Sequence, residues 1–190
     1  MGSVVGRWTG GALSALMLAA CSPSLNWRQV AHEGVPVQAM LPCKPERAER
    51  EVPLLGPQNT PLQLQLMGCE AAGLNFAFGV LRLPDGADHN LALTHWRQAA
   101  WASLQQPLAK TSTEDGSAAA PPGWTSMPYA PRGAVQAEHW RGPGRDHRGQ
   151  PLQADIAWAL QGRWLVQVAV YGEARAPEAR EALLSGLELK

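Results

Sequence analysis

Apolar and polar residues alternate with a period of two in several stretches of this chain. Leu62, Leu64 and Leu66 alternate with Gln63, Gln65 and Met67; Leu74, Phe76, Phe78 and Val80 alternate with Asn75, Ala77, Gly79 and Leu81. Successive side chains of a strand point to opposite faces, so each stretch predicts a strand, and Ala71-Ala72-Gly73 joins the two as a hairpin. A clearer pair lies further on. Leu152, Ala154, Ile156, Trp158 and Leu160 alternate with Gln153, Asp155, Ala157, Ala159 and Gln161, and a turn at Gln161-Gly162 leads into Trp164, Val166, Val168 and Val170. Shorter strands are predicted over residues 26–32, 35–41 and 134–141, with the polar segment 47–52 as an edge strand.

Between residues 90 and 108 the period changes. Leu93, Trp96, Ala100 and Leu104 step by three and four, which marks one face of a helix. Arg97 and Gln98 are expected to face outward, and Asp88 stands where a cap belongs. Residues 110–133 hold Gly116, a Ser/Thr-rich start and four prolines after Ala120. They predict a long irregular loop, pinned to the surface by Trp124, Met127 and Tyr129. Residues 142–151 read as a turn-rich loop. Pro177 suits the first turn of a helix that continues to Ser185, and Leu187 and Leu189 close the chain in extended form. Strands, helix, strands, helix predicts an α+β domain, an antiparallel sheet with helices packed on it.

Composition narrows the function classes. The 190 residues suffice for one core. Lys+Arg and Asp+Glu are both 16, a net charge of zero, and a nucleic-acid partner is not expected without a basic excess to displace counterions. No apolar run reaches the roughly 18 residues of a membrane span. Eight of the twelve aromatic residues are Trp. They either replace Phe and Ile as core filler or line an apolar ligand groove.

The N-terminus adds an address. Arg7 precedes a short apolar stretch over residues 10–20, the length of a secretion signal. Leu18-Ala19-Ala20-Cys21 then matches the lipobox, and the segment resembles the signal peptides of bacterial lipoproteins. The resemblance implies removal of residues 1–20, a thioether-linked diacylglycerol on Cys21 and acylation of the new amino terminus. Ser22, in place of Asp, implies the outer membrane of a Gram-negative envelope. Residues 21–26 would form a very short tether, and residues 27–190 a single periplasmic domain. Three acyl chains exceed what stable anchoring requires. An ordinary signal peptide with an incidental cysteine, or an uncleaved anchor, is the competing reading.

Two cysteines remain, Cys43 and Cys69. In an oxidising compartment they are expected to form a disulfide. If the strands leading to them are neighbours, the sulfurs meet at one end of a sheet. A metal or redox pair is the alternative, but neither lies in a C-x-x-C.

The domain also resembles the Mog1/PsbP-like group of small bacterial domains. The residues that carry this are Ala39-Met40-Leu41-Pro42-Cys43-Lys44-Pro45-Glu46, then Trp140-Arg141-Gly142-Pro143-Gly144-Arg145-Asp146, then the terminal Ser185-Gly186-Leu187-Glu188-Leu189. The resemblance covers residues 27–190. It implies a twisted antiparallel sheet sandwiched by helices and an accessory or binding role, without naming a reaction.

Chemistry is sparse. His32, His89, His95, His139 and His147 fall in no metal-ligand spacing, so neither a metal nor a cofactor is expected. No nucleophile elbow or phosphate loop is present, and no catalytic role is expected. Asp155, within an apolar strand, either pairs with His139 across the sheet or faces outward. Arg141, Arg145 and Arg148, with His147 and interspersed Gly and Pro, form a possible anion contact; a solvated hairpin loop is the plain alternative. The expected function is a lipid-anchored, non-catalytic accessory or binding domain of the cell envelope, attached to the membrane through Cys21, its protein or envelope partner unnamed by the sequence. The alternative is a carrier or assembly factor that holds an acyl chain or other apolar ligand in a groove lined by its tryptophans.

Overall fold

A computed structural model describes residues 25–104, 120–173 and 176–190. Residues 1–20, Cys21, the tether through Ser24 and much of the 110–133 loop lie outside the described residues.

Two antiparallel meanders make one seven-stranded sheet. The first is β3 (Glu46–Val52), β4 (Leu62–Ala71) and β5 (Leu74–Arg82); the second is β6 (Thr125–Met127), β7 (Gln136–Arg145), β8 (Pro151–Gln161) and β9 (Trp164–Gly172). They join through β5 and β9, giving the order β3-β4-β5-β9-β8-β7-β6. The alternating stretches are the central strands, and both predicted hairpins are present in register, with Leu64 opposite Leu81 and Leu160 opposite Leu165. The polar segment 47–52 lies within β3 at the sheet edge, where charged residues blunt pairing with another chain. At the first hairpin Ala72 and Gly73 both take positive φ, 52° and 71°, as a tight turn between twisted strands requires.

A second, three-stranded sheet has the order β1-β2-β10, from β1 (Arg28–Ala31), β2 (Val37–Leu41) and β10 (Glu188–Leu189). Together with helix α2 (Pro177–Ser185) it covers one face of the large sheet, burying Leu41, Phe76, Phe78, Val168 and Leu183. Helix α1 (His89–Leu104) covers the other face, packing Leu93, Trp96 and Trp101 against Leu81, Ile156 and Trp158. Asp88 Oδ1 accepts the backbone N–H of Leu91 at 3.0 Å, capping α1 as expected. The class is therefore mixed α+β, an antiparallel sheet covered on both faces. Among the described residues no helix is long and apolar enough to cross a membrane.

Three local expectations are corrected. Strand β7 runs through Gly142-Pro143-Gly144 to Arg145, so the loop expected over 142–151 shrinks to the few residues before β8. Trp124, expected to pin a loop to the surface, is instead core: it is 8% exposed and stacks near Trp101 at 5.8 Å. Gly142 explains the change, because a Cβ there would overlap the Trp124 indole; the glycine in the strand makes the seat for the ring. Arg97 does not face outward. Its Nη1 donates to Glu138 Oε2 at 2.7 Å, and its guanidinium lies 5.4 Å from the Trp101 ring, tying α1 to β7.

Cys43 and Cys69 form a disulfide, with Cα atoms 6.0 Å apart. The strands leading to them are not neighbours in one sheet. Cys43 follows β2 in the small sheet and Cys69 lies in β4 of the large one, so the bridge fastens the two layers. For a sequence separation of 26, loop-closure entropy makes this worth roughly 3–4 kcal/mol.

Candidate functional site

Strand β7 places His139 and Arg141 on the face that meets α2, since residues two apart share a face. Asp155 of β8 is the register partner of Arg141. Its carboxylate is fully buried and both oxygens are occupied. Oδ1 accepts from His139 Nε2 at 3.0 Å and from Arg141 Nε at 2.6 Å. Oδ2 accepts from Arg180 Nη1 of α2 at 2.7 Å. Arg180, itself 3% exposed, extends the network by donating from Nη2 to the Glu173 carbonyl at 2.7 Å. Burial alone would push the Asp155 carboxyl up, but the three donors outweigh it and hold the group ionised below its ordinary value. A carboxylate so occupied fixes its partners in place and has little capacity left to take a proton.

This network lies beside a groove of about 860 Å3. One wall is the segment from Met127 to Arg132; the other is the end of α2 and the residues after it, from Leu184 to Glu188. Tyr129 ties the walls together, its hydroxyl donating to the Leu184 carbonyl at 3.0 Å and its ring packing edge-on to His139 at 5.9 Å. Burial pushes the Tyr129 phenol well above its usual range, so it remains a donor. His139 and Arg141 both line the groove, and so do Glu181 and Glu188.

Of the three arginines singled out in the sequence, only Arg141 reaches this groove. Arg145 is four residues further along β7, about 13 Å away in an extended strand, and its Nη1 donates to the Gly149 carbonyl at 2.8 Å. Arg148 Nε donates to His147 Nε2 at 3.2 Å. Asp146 Oδ1 accepts the N–H groups of Arg148 and Gln150, both at 2.8 Å, so the hairpin tip is a self-contained turn. The arginines do not form one cluster. Asp155 and His139 do pair, as one of the two readings expected. Arg180 was missed, and the only signal for it was the demand of a buried aspartate for more than one partner.

Five tryptophans gather on the opposite face of the sheet, while Trp27 and Trp164 pack on the face that meets α2 and the small sheet. Trp101 packs on Trp124 and, edge-on at 5.3 Å, on Trp140; Trp96 and Trp158 belong to the same cluster. Among the described residues no Trp lines the groove beside Arg141. No group of His, Cys, Asp and Glu suited to a metal occurs among the described residues; His95, for example, has Nδ1 2.7 Å from the Leu54 carbonyl.

One further histidine bears on stability. His32 is buried, its ring 5.3 Å from that of Phe78, and its Nε2 has no partner among the described residues. Burial, then the positive charge of Arg47, hold its pKa down from 6.5 to about 4. The unfolded chain therefore takes up a proton in this window that the folded chain refuses. Stability is full above pH 6.5 and falls as pH drops toward 4, by about 3 kcal/mol for a shift of this size. Thermal melts from pH 7.5 to 4.5 should show this fall, and His32→Phe should flatten it. An unchanged slope in the variant would place the acid sensitivity elsewhere.

No protein-family model matches this chain, and no curated protein matches it.

Proposed function

We propose that this chain is a lipid-anchored, non-catalytic accessory or binding domain of the bacterial cell envelope, held through Cys21 at the periplasmic face of the outer membrane. The observation that carries this reading is the Cys43–Cys69 disulfide. It takes up two of the three cysteines, as an oxidising compartment favours, and leaves Cys21 alone at the end of the apolar leader. The central sheet covered on both faces is in keeping with a Mog1/PsbP-like fold. In such a domain the groove beside Arg141 serves as the binding face. The carrier alternative has less support, because Trp96, Trp101, Trp124, Trp140 and Trp158 share one packed cluster on the α1 face and no described Trp lines that groove.

Lipidation is the direct test. Cells given an alkyne-tagged fatty acid should label the wild-type chain, and Cys21→Ser should abolish both the label and signal cleavage. If the variant still matures to an unlipidated form of the same polypeptide mass, an ordinary signal peptide is in use and the anchor is wrong.

A further inference from the structure

The geometry points to the groove beside Arg141 as a recognition site for the free carboxylate of a short peptide with an apolar C-terminal residue. This deepens the reading of the domain as a binding module and rests on it.

The central feature is how Arg141 is held. Its Nε–H is taken up by Asp155, which is itself locked by His139 and by Arg180 of α2. The two Nη nitrogens have no hydrogen-bond partner among the described residues, in a side chain 44% exposed along the groove. An arginine fastened at Nε by a buried carboxylate has lost most of its rotamer freedom before any ligand arrives. What remains is a planar pair of N–H donors, the fork that matches a carboxylate. Ordering a free surface arginine would weaken binding; here the fold has already supplied that order.

The rest of the groove narrows the ligand. Glu181 and Glu188 line it too, and Arg132 at the rim is 3.3 Å from Glu188. Two carboxylates disfavour a phosphate dianion and tolerate a single negative charge on Arg141. They also accept hydrogen bonds from amide N–H groups. Met40, Met127 and Leu184 supply apolar contact. Polar acceptors interleaved with apolar surface suit a peptide better than a bare acyl chain, which needs continuous apolar walls. About 860 Å3 accommodates a few residues. The same chemistry occurs at the tail of a protein and at the end of a cell-wall stem peptide.

The experiment uses the mature chain as cells process it, in nanodiscs when it carries lipid and in buffer when it does not, and fluorescein-labelled tetrapeptides ending in L-Leu, L-Ala or D-Ala, each as free acid and as amide. Anisotropy should show at least one free acid binding about tenfold or more tighter than its amide, the worth of one charge-assisted fork. Preference for an L-ending assigns a protein tail, preference for D-Ala a wall peptide, and either supports the site. Arg141→Lys keeps a cation opposite Asp155, so the fold should persist by circular dichroism while the acid loses about tenfold in affinity and the amide is unchanged. Equal binding of acid and amide, no binding of either at millimolar concentration, or an unchanged affinity in a folded Arg141→Lys variant would overturn the proposal. So would dodecanoate binding where the peptides do not, which would favour the carrier. Lipid labelling at Cys21 is independent of all these outcomes, so the anchor and the peptide site fail separately.

Discussion

Asp155→Ala is expected to destabilise the fold by about 3–5 kcal/mol, the cost of breaking a buried ion network from one side. The carboxylate is fully buried, and its removal leaves Arg180 and His139, 3% and 4% exposed, without their shared acceptor. The cost comes from a buried guanidinium and a buried imidazole each losing a charged acceptor, more than from the lost attraction itself. Arg180 is the link between α2 and the end of β8, so the loss should be felt in α2 and in the small sheet that packs with it. Urea denaturation measures the change. The double variant Asp155→Leu with Arg180→Leu should recover part of it, because no charge is then left buried in that pair. A loss below about 1 kcal/mol for Asp155→Ala would mean that water reaches the network. The pH dependence has a definite sign. The folded carboxyl is held below its ordinary value, so its contribution is complete above that value and disappears as pH falls through the lowered one. The His32 effect belongs to the window between pH 6.5 and about 4, and the two acid losses are separable by pH.

How much of this was legible in the sequence depends on the range of the interaction. The hairpins β4–β5 and β8–β9 were readable because alternation is local and a one-residue slip would send every side chain to the opposite face of the sheet. The cap at Asp88 and Pro177 at the start of α2 were readable for the same reason. The docking of the two meanders through β5 and β9 was not, since no local pattern names a strand's distant neighbour. Composition misled at residues 142–145. Gly-Pro-Gly is usually a turn signal, yet here Gly142 is small because Trp124 rests on it and the strand continues. Trp124 and Gly142 explain each other only once both are in place. The site divides the same way. Asp155 stood out as a charge in an apolar run, and His139 was readable as a possible partner. Arg180 sits in a helical stretch whose burial could not be known before the helix was docked. Arg145 and Arg148 looked like companions of Arg141 because they are close in sequence, but an extended strand carries them away.

Trp158→Ala is expected to cost about 3–5 kcal/mol, in the range for deleting a buried aromatic. Trp158 is fully buried on the α1 face, between Ile156 and Leu160 along β8, and it belongs to the cluster that holds Trp96, Trp101 and Trp124. Removing it opens a cavity that rigid strands on either side cannot close. Trp124→Ala belongs to the same class, for its ring fills the space over Gly142. Trp164, in line with Val166 and Val168 along β9, is a different case. It lies half-buried at the end of β9 with Arg82 5.8 Å from its ring centroid, so its replacement should cost distinctly less than that of Trp158. Trp158 also carries a buried indole N–H with no partner among the described residues. Trp158→Phe removes that unsatisfied donor along with part of the ring, and should cost much less than Trp158→Ala. This ordering, Ala far worse than Phe at position 158 and a mild effect at 164, is what a packed core requires. A Trp158→Ala chain that melts like wild type but no longer binds a fluorescent acyl probe would instead make this face a ligand cavity, and the carrier would replace the accessory domain as the better account of the protein.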